Sequence, residues 1–213
     1  MKKIKYSEIT PEKIYNNRRS FIKSIGFSAS SLAITSLPFI NNALGKEQDK
    51  LTSYKDITTY NNYYEFGTSK GDPYKNSQNF KTKPWEISIE GEVEKPIKIS
   101  MDEILKSFTS EERIYRLRCV EGWSMVIPWM GFSLSKLLSK VNPTSKAKFV
   151  AFESVYDPEQ MKGQRYPVLN WPYKEGLRID EAMHPLTTVV TGLYNKELPN
   201  QNGAPLRIFI PWK

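Results

Sequence analysis

Ile114-Tyr115-Arg116-Leu117-Arg118-Cys119-Val120-Glu121-Gly122-Trp123-Ser124-Met125-Val126-Ile127-Pro128-Trp129 contains the one cysteine of the 213-residue chain. The imperfect alternation from Glu111 to Cys119 predicts a strand that ends at the thiol. Arg116 and Arg118 precede the thiol, and Trp123 and Trp129 follow it. Positive charge beside a thiol favours the thiolate, the form that attacks electrophiles or binds soft metals. The competing reading is a buried structural cysteine, because free cysteine is among the most buried residue types.

The N-terminus carries a different signal. Asn17-Arg18-Arg19-Ser20-Phe21-Ile22-Lys23 is a twin-arginine sequence, followed by a modestly apolar run from Ile25 to Ile40. Gly26, several serines and Pro38 interrupt that run, which makes it a poor membrane span. Ala43-Leu44-Gly45 offers small residues for cleavage. Residues 1–45 therefore read as a Tat export signal, and residues 46–213 as the working domain. Tat export carries folded proteins and implies a cofactor inserted before export into the periplasm.

The charge balance supports this division. The whole chain has a formal net charge of +8, but residues 1–45 hold seven Lys/Arg against two Asp/Glu, leaving 24 against 21 in the remainder. Such a small excess is no nucleic-acid footprint. About 168 residues suffice for one domain with a real core. One cysteine permits no internal disulfide, and an exported lone thiol calls for either burial or permanent occupation by a metal.

Residues 46–60 are polar and read as a loose lead-in. The aromatic and amide-rich run Tyr60-Asn61-Asn62-Tyr63-Tyr64-Glu65-Phe66-Gly67 has no helical or strand period. It is either an aromatic plug over a core or the wall of a site for a flat polar ligand. Trp85, Ile87, Ile89 and Val93 alternate as a half-buried strand. Ser100 and Glu103 form a capping box opening a short helix. Ser133 is expected to cap a helix through Leu134, Leu137, Leu138 and Val141, ended by Asn142-Pro143. Residues 147–153 read as a buried strand, 156–175 as a long loop, and 179–184 as one or two helical turns. Thr187 to Leu193 and Leu206 to Ile210 read as strands flanking the turn cluster Asn200-Gln201-Asn202-Gly203-Ala204-Pro205. The irregular alternation of strands and short helices predicts a mixed α+β domain.

Several chemistries lack their signatures. The one histidine, His184, excludes a His-rich zinc site, and no Cys-x-x-Cys, dinucleotide or phosphate-loop motif occurs. His184, before Pro185, reads as a helix-end residue. A Cys119–His184 nucleophilic pair is the alternative, with nothing in the sequence in its favour.

The segment Arg118 to Trp129 resembles the cysteine segment of the periplasmic protein-methionine-sulfoxide reductase catalytic subunits, molybdopterin proteins of the sulfite oxidase fold. Tyr60 to Gly67, Pro158-Glu159-Gln160-Met161, Asp180 to Leu186 and Gln201-Asn202-Gly203-Ala204-Pro205 match further family segments in the same order. The resemblance implies a sulfite oxidase-type molybdopterin-binding fold and a Mo-molybdopterin cofactor with Cys119 as the protein ligand to molybdenum. It also implies cofactor contacts from Asn61, Tyr64, Glu65, Ser154 and Asn202, with Arg207 meeting the cofactor phosphate. Ser154 stands where the family usually has threonine, keeping the hydroxyl. The family continues past Lys213 with a Gly-Phe-Lys segment, so the chain reads as C-terminally shortened. The implied activity is reduction of methionine sulfoxide in oxidised periplasmic proteins, with electrons from a haem-containing membrane subunit fed by quinones. The alternatives are a sulfite-oxidising enzyme of the same fold, or an inactive cofactor-free fragment with Cys119 merely buried.

Overall fold

The strands on either side of Cys119 pair as the central hairpin. The computed structural model describes residues 50–212; the export signal expected over residues 1–45 lies outside them. The described chain opens with α1 (Tyr54–Thr59) and α2 (Asp72–Asn76), separated by a 3-10 turn at Tyr64–Phe66. A short antiparallel pair follows, β1 (Glu86–Ile89) and β2 (Ile97–Ser100), leading into α3 (Met101–Ser107). Next come β3 (Glu111–Arg118), β4 (Ser124–Ser133) and α4 (Leu134–Val141). A second pair, β5 (Phe149–Glu153) and β6 (Lys174–Arg178), precedes α5 (Ile179–Ala182). The chain ends with β7 (Thr188–Leu193), β8 (Lys196–Glu197) and β9 (Arg207–Phe209). The architecture is the expected α+β mixture.

The main sheet runs β3-β4-β7-β8, with β9 also paired to β7, and every pairing is antiparallel. Successive side chains of a strand point to opposite faces, and the sheet uses both. Val190 joins Trp129, Ile127, Leu193, Phe209 and Ile57 in one apolar cluster. The adjacent Val189 joins Phe132, Leu134, Leu138, Ile104 and Leu177 in another. The sheet is thus a partition between two cores.

Local signals explain most of the elements. Ser100 Oγ accepts the Glu103 backbone N–H at 3.2 Å, capping α3 as anticipated. On α4, Leu134, Leu137, Leu138 and Val141 form one buried stripe, and Asn142 ends the helix in the left-handed region at φ 49°.

Four expectations need correction. Ser133 precedes α4 but does not cap it; its hydroxyl donates to Pro185 O at 2.6 Å and accepts from the Arg113 guanidinium at 3.1 Å. Residues 54–59 of the lead-in form α1, because Ser53 Oγ accepts the Asp56 backbone N–H at 3.1 Å. β5 is half-exposed rather than buried, with Phe149 73% exposed, since it pairs only with β6. β4 was not anticipated, because Pro128 and Gly131 interrupt its pattern. It forms because β4 pairs with β7 only from Trp129 onward, so Pro128 sits outside that ladder.

Phe132 is 1% exposed and stacks on Phe108 with ring centroids 4.4 Å apart. Phe132→Ala is expected to lower unfolding free energy by about 3–5 kcal/mol. Leu105→Ala, at a residue 51% exposed, should change it by less than about 1 kcal/mol. Urea unfolding of both variants checks the contrast.

Candidate active site

The β3–β4 register places the thiol. Arg118 pairs with Ser124, and the five residues between them form the hairpin tip. The Cys119 N–H donates to Trp123 O at 2.8 Å, and the Gly122 N–H to Cys119 O at 3.0 Å. Gly122 has φ +89°, a left-handed conformation that glycine adopts without steric penalty. Cys119 is therefore presented at a sheet end and is only partly buried.

Neighbours reach the sulfur from two segments. Asn62 Nδ2 donates to Sγ at 3.3 Å, and the Glu121 backbone N–H donates at 3.5 Å. The Cys119 thiol donates to Glu121 Oε2 at 3.8 Å. Glu121 in turn holds the Lys70 ammonium at 2.8 Å and accepts the Trp123 indole N–H at 3.0 Å. The Lys70 hydrogen bond, followed by that of Trp123, keeps the Glu121 carboxyl below the usual carboxylate range. The same bond from the other side raises the Lys70 ammonium. Arg116 and Arg118, the cations singled out in the sequence, lie exposed on β3, and folding adds a further cation, Lys70, bound to Glu121 beside the thiol.

A second group of polar residues is buried beside this tip. Asn61 and Asn202 both donate their Nδ2 to Ile57 O, at 2.9 and 3.1 Å. Both leave Oδ1 buried with no partner in the protein. An unpartnered buried carbonyl is costly and marks a place where a ligand donor belongs. Glu65 is buried, and desolvation raises its carboxyl despite its own backbone N–H and the nearby Arg207 charge. Tyr63 is raised well above the usual phenol range, by burial first and by Glu65 second. Arg207 Nη1 donates to Asn202 O at 3.0 Å, and its guanidinium lies over the Trp129 ring at 5.2 Å. Its surface is open to the cavity, yet enough protein surrounds it that desolvation lowers the guanidinium, with Tyr63 and Glu65 opposing.

All seven residues singled out in the sequence line one cavity of ≈ 1760 Å³: Asn61, Tyr64, Glu65, Cys119, Ser154, Asn202 and Arg207. Ser154 is exposed, with its backbone N–H bonded to Tyr173 O at 2.9 Å. Sequence reasoning missed Asn62, Tyr63, Lys70 and Glu121 as partners. Asn62 and Tyr63 lie inside the aromatic-amide run, so that run held their signal; Lys70 meets Glu121 only through tertiary folding. Of the two readings left open for Tyr60 to Gly67, the run is both: Phe66 packs with Phe80 and Met161, while Asn61, Tyr64 and Glu65 line the cavity. His184 lies against Trp212, with ring centroids 4.7 Å apart, and its Nδ1 accepts the Leu186 N–H at 3.2 Å.

The donor set fits a molybdopterin-type group. Among the described residues no cluster of three His, Cys, Asp or Glu side chains could hold a metal ion. The two unpartnered amide oxygens suit pterin N–H donors, and the guanidinium suits a phosphate.

The fold and this site define a class. The family described as the oxidoreductase molybdopterin binding domain matches residues 74–213, and the chain belongs to it. Among curated relatives, the protein-methionine-sulfoxide reductase catalytic subunit MsrP of Xanthomonas axonopodis is 52% identical over 220 residues, covering 97% of this chain and 68% of that protein. The protein of the same name from Pseudomonas syringae is 47% identical over 240 residues, covering 98% and 70%. Among solved structures, the sulfane dehydrogenase SoxCD of Paracoccus pantotrophus aligns with TM-score 0.52 at 13% identity, over 95% of this chain and 55% of that one, a likeness of fold.

A Cβ on Gly163 would fall 2.0 Å from Tyr64 O, so the 3-10 turn Lys162–Arg165 rests directly on the Tyr64–Glu65 backbone. Gly163→Ala is expected to push that segment out of the cavity wall. Bound molybdopterin should fall in the variant while far-ultraviolet circular dichroism stays native.

Proposed function

We propose that this chain reduces methionine sulfoxide residues in proteins by oxygen-atom transfer to a Mo-molybdopterin cofactor. The observation that carries this reading is the convergence on one cavity of the Cys119 thiol, the Arg207 guanidinium and the residues bearing the two unpartnered amide oxygens. The 52% identity to a protein-methionine-sulfoxide reductase catalytic subunit supports it. When bound, the cofactor supplies two-electron oxygen-atom chemistry.

The protein's own residues bind and orient. Cys119 would supply the thiolate ligand to molybdenum. Asn61 and Asn202 would accept hydrogen bonds from the pterin through their free oxygens. Glu65, Tyr64 and Ser154 would bond its polar edge, and Arg207 would pair with the phosphate. The overall reaction consumes two electrons and two protons per sulfoxide and releases a thioether and water. The described domain shows no haem or iron–sulfur ligation pattern. The electrons would come from a haem-containing membrane subunit fed by quinones. The Tat signal at residues 1–45 would deliver the loaded protein to the periplasm, where oxidised proteins are its substrates.

Oxidation of sulfite, the second reading, has the weaker support. A small dianion needs uncompensated cations near the reacting centre. Lys70, the cation that folding brings beside the hairpin tip, is neutralised by Glu121 at 2.8 Å. Beside the thiol Tyr60 lies edge-on to Trp123 at 5.2 Å, and Met125 stands in the cavity wall. A thioether suits them.

Protein produced where the cofactor is made should carry near-stoichiometric molybdenum, and Cys119→Ala should lose it. With a reduced dye as donor, the loaded protein should reduce methionine sulfoxide in an oxidised protein much faster than it oxidises sulfite. Absence of molybdenum, or the reverse ranking of rates, overturns the reading. Arg18→Lys combined with Arg19→Lys should leave metal-loaded protein in the cytoplasm; fractionation and metal analysis check this.

A further inference from the structure

The tip that presents Cys119 has little packing of its own. Val120 is fully exposed, and the turn's backbone–backbone bonds are those of the Cys119 N–H to Trp123 O and the Gly122 N–H to Cys119 O. A hairpin tip of this kind needs ties to a second segment to hold a sulfur in a fixed place. Beside the Asn62 bond to the sulfur and the Tyr60–Trp123 contact, an ionic tie comes from Lys70, between the 3-10 turn Tyr64–Phe66 and α2.

Lys70 is anchored at both of its ends. Its backbone carbonyl accepts the Asn61 N–H at 2.9 Å. Its ammonium, on a side chain only 19% exposed, lies 2.9 Å from Glu121 Oε1 and 2.8 Å from Oε2. Glu121 carries the connection onward through its own backbone N–H, 3.5 Å from Sγ. One residue thus links the segment holding Asn61, Tyr64 and Glu65 to the turn holding the thiol. Lys70 also balances the charge of a carboxylate 3.8 Å from the sulfur. Without it, Glu121 and a thiolate would repel each other and spread the turn.

We infer that Lys70 is a positioning residue that sets the distance between the cofactor-binding Asn61–Glu65 segment and the Cys119 sulfur, acting through Glu121. The inference rests on the proposed molybdopterin function, because that is what gives the distance its meaning. Lys70→Met keeps most of the side-chain stem and removes the charge; Lys70→Arg keeps the charge.

Two measurements on the full chain test it. In cofactor-free protein, amide hydrogen exchange of residues 119–123 should rise in Lys70→Met by roughly two- to fivefold, the scale of one partly exposed ion pair. Glu121→Gln should produce the same rise, the double variant should add nothing to either, and Lys70→Arg should return exchange to the wild-type rate. In loaded protein, the sulfur-to-metal charge-transfer absorption should shift in Lys70→Met and return in Lys70→Arg. Unchanged exchange in Lys70→Met, additive effects in the double variant, or no rescue by arginine overturns the inference. The exchange experiment needs no metal, so a protein that never binds molybdenum would refute the functional reading while still judging Lys70.

Discussion

The antiparallel pairing of β3 with β4 is the constraint on which the rest depends. Its register runs without a break from Glu111–Gly131 to Arg118–Ser124. A slip of one residue would turn every side chain of a strand to the opposite face. Trp129, Ile127 and Met125 would then leave their cluster with Val190 and Leu193. The same slip would move Cys119 off the tip of the hairpin. Core packing and thiol placement are two consequences of one ladder.

The buried polar residues are expensive without a ligand. Desolvation disfavours the charged forms of Glu65, Tyr63 and the cavity-facing Arg207; the Arg207 charge opposes the shifts of the first two, while Glu65 adds to that of Tyr63. Arg207 is further held by Asn202 O and the Trp129 ring. Asn61 and Asn202 spend their N–H donors on a single carbonyl, Ile57 O, and leave their acceptors unmatched. Such an arrangement is poor as a core and sensible as a receptor, since buried polar groups are ordinarily satisfied. That contrast separates a cofactor site from a chance polar cluster, and it agrees with membership of the molybdopterin-binding oxidoreductase family.

Much of this was legible in the chain itself. The one cysteine, its strand and the amide-aromatic run are local patterns. So are the Ser100 cap and the apolar stripe of α4, because capping and helical periodicity act over a few residues. The resemblance, carried by residues 118–129 together with Tyr60–Gly67 and other matched segments, pointed to the fold class and implied seven cofactor contacts, and these seven residues line one cavity. Local pattern failed where long-range pairing overrode it. Pro128 and Gly131 disguise β4, and only β3 and β7 on either side make it a strand. Ser133 has the position of a cap, but Pro185 and Arg113 take its hydroxyl.

By itself the sequence determined that this is a mixed α+β chain with one thiol presented after a strand, and which residue types could meet a pterin. Tertiary structure alone decided the electrostatic surroundings of that thiol. Arg116 and Arg118 are its neighbours in the chain, yet strand alternation turns both to the exposed face. The tertiary fold adds Lys70, 49 positions before Cys119, brought there by the turn before α2 and bound to Glu121 at 2.8 Å. Proximity along the chain fixes backbone neighbours. Charge acts through space, and only the folded chain determines which charges are close.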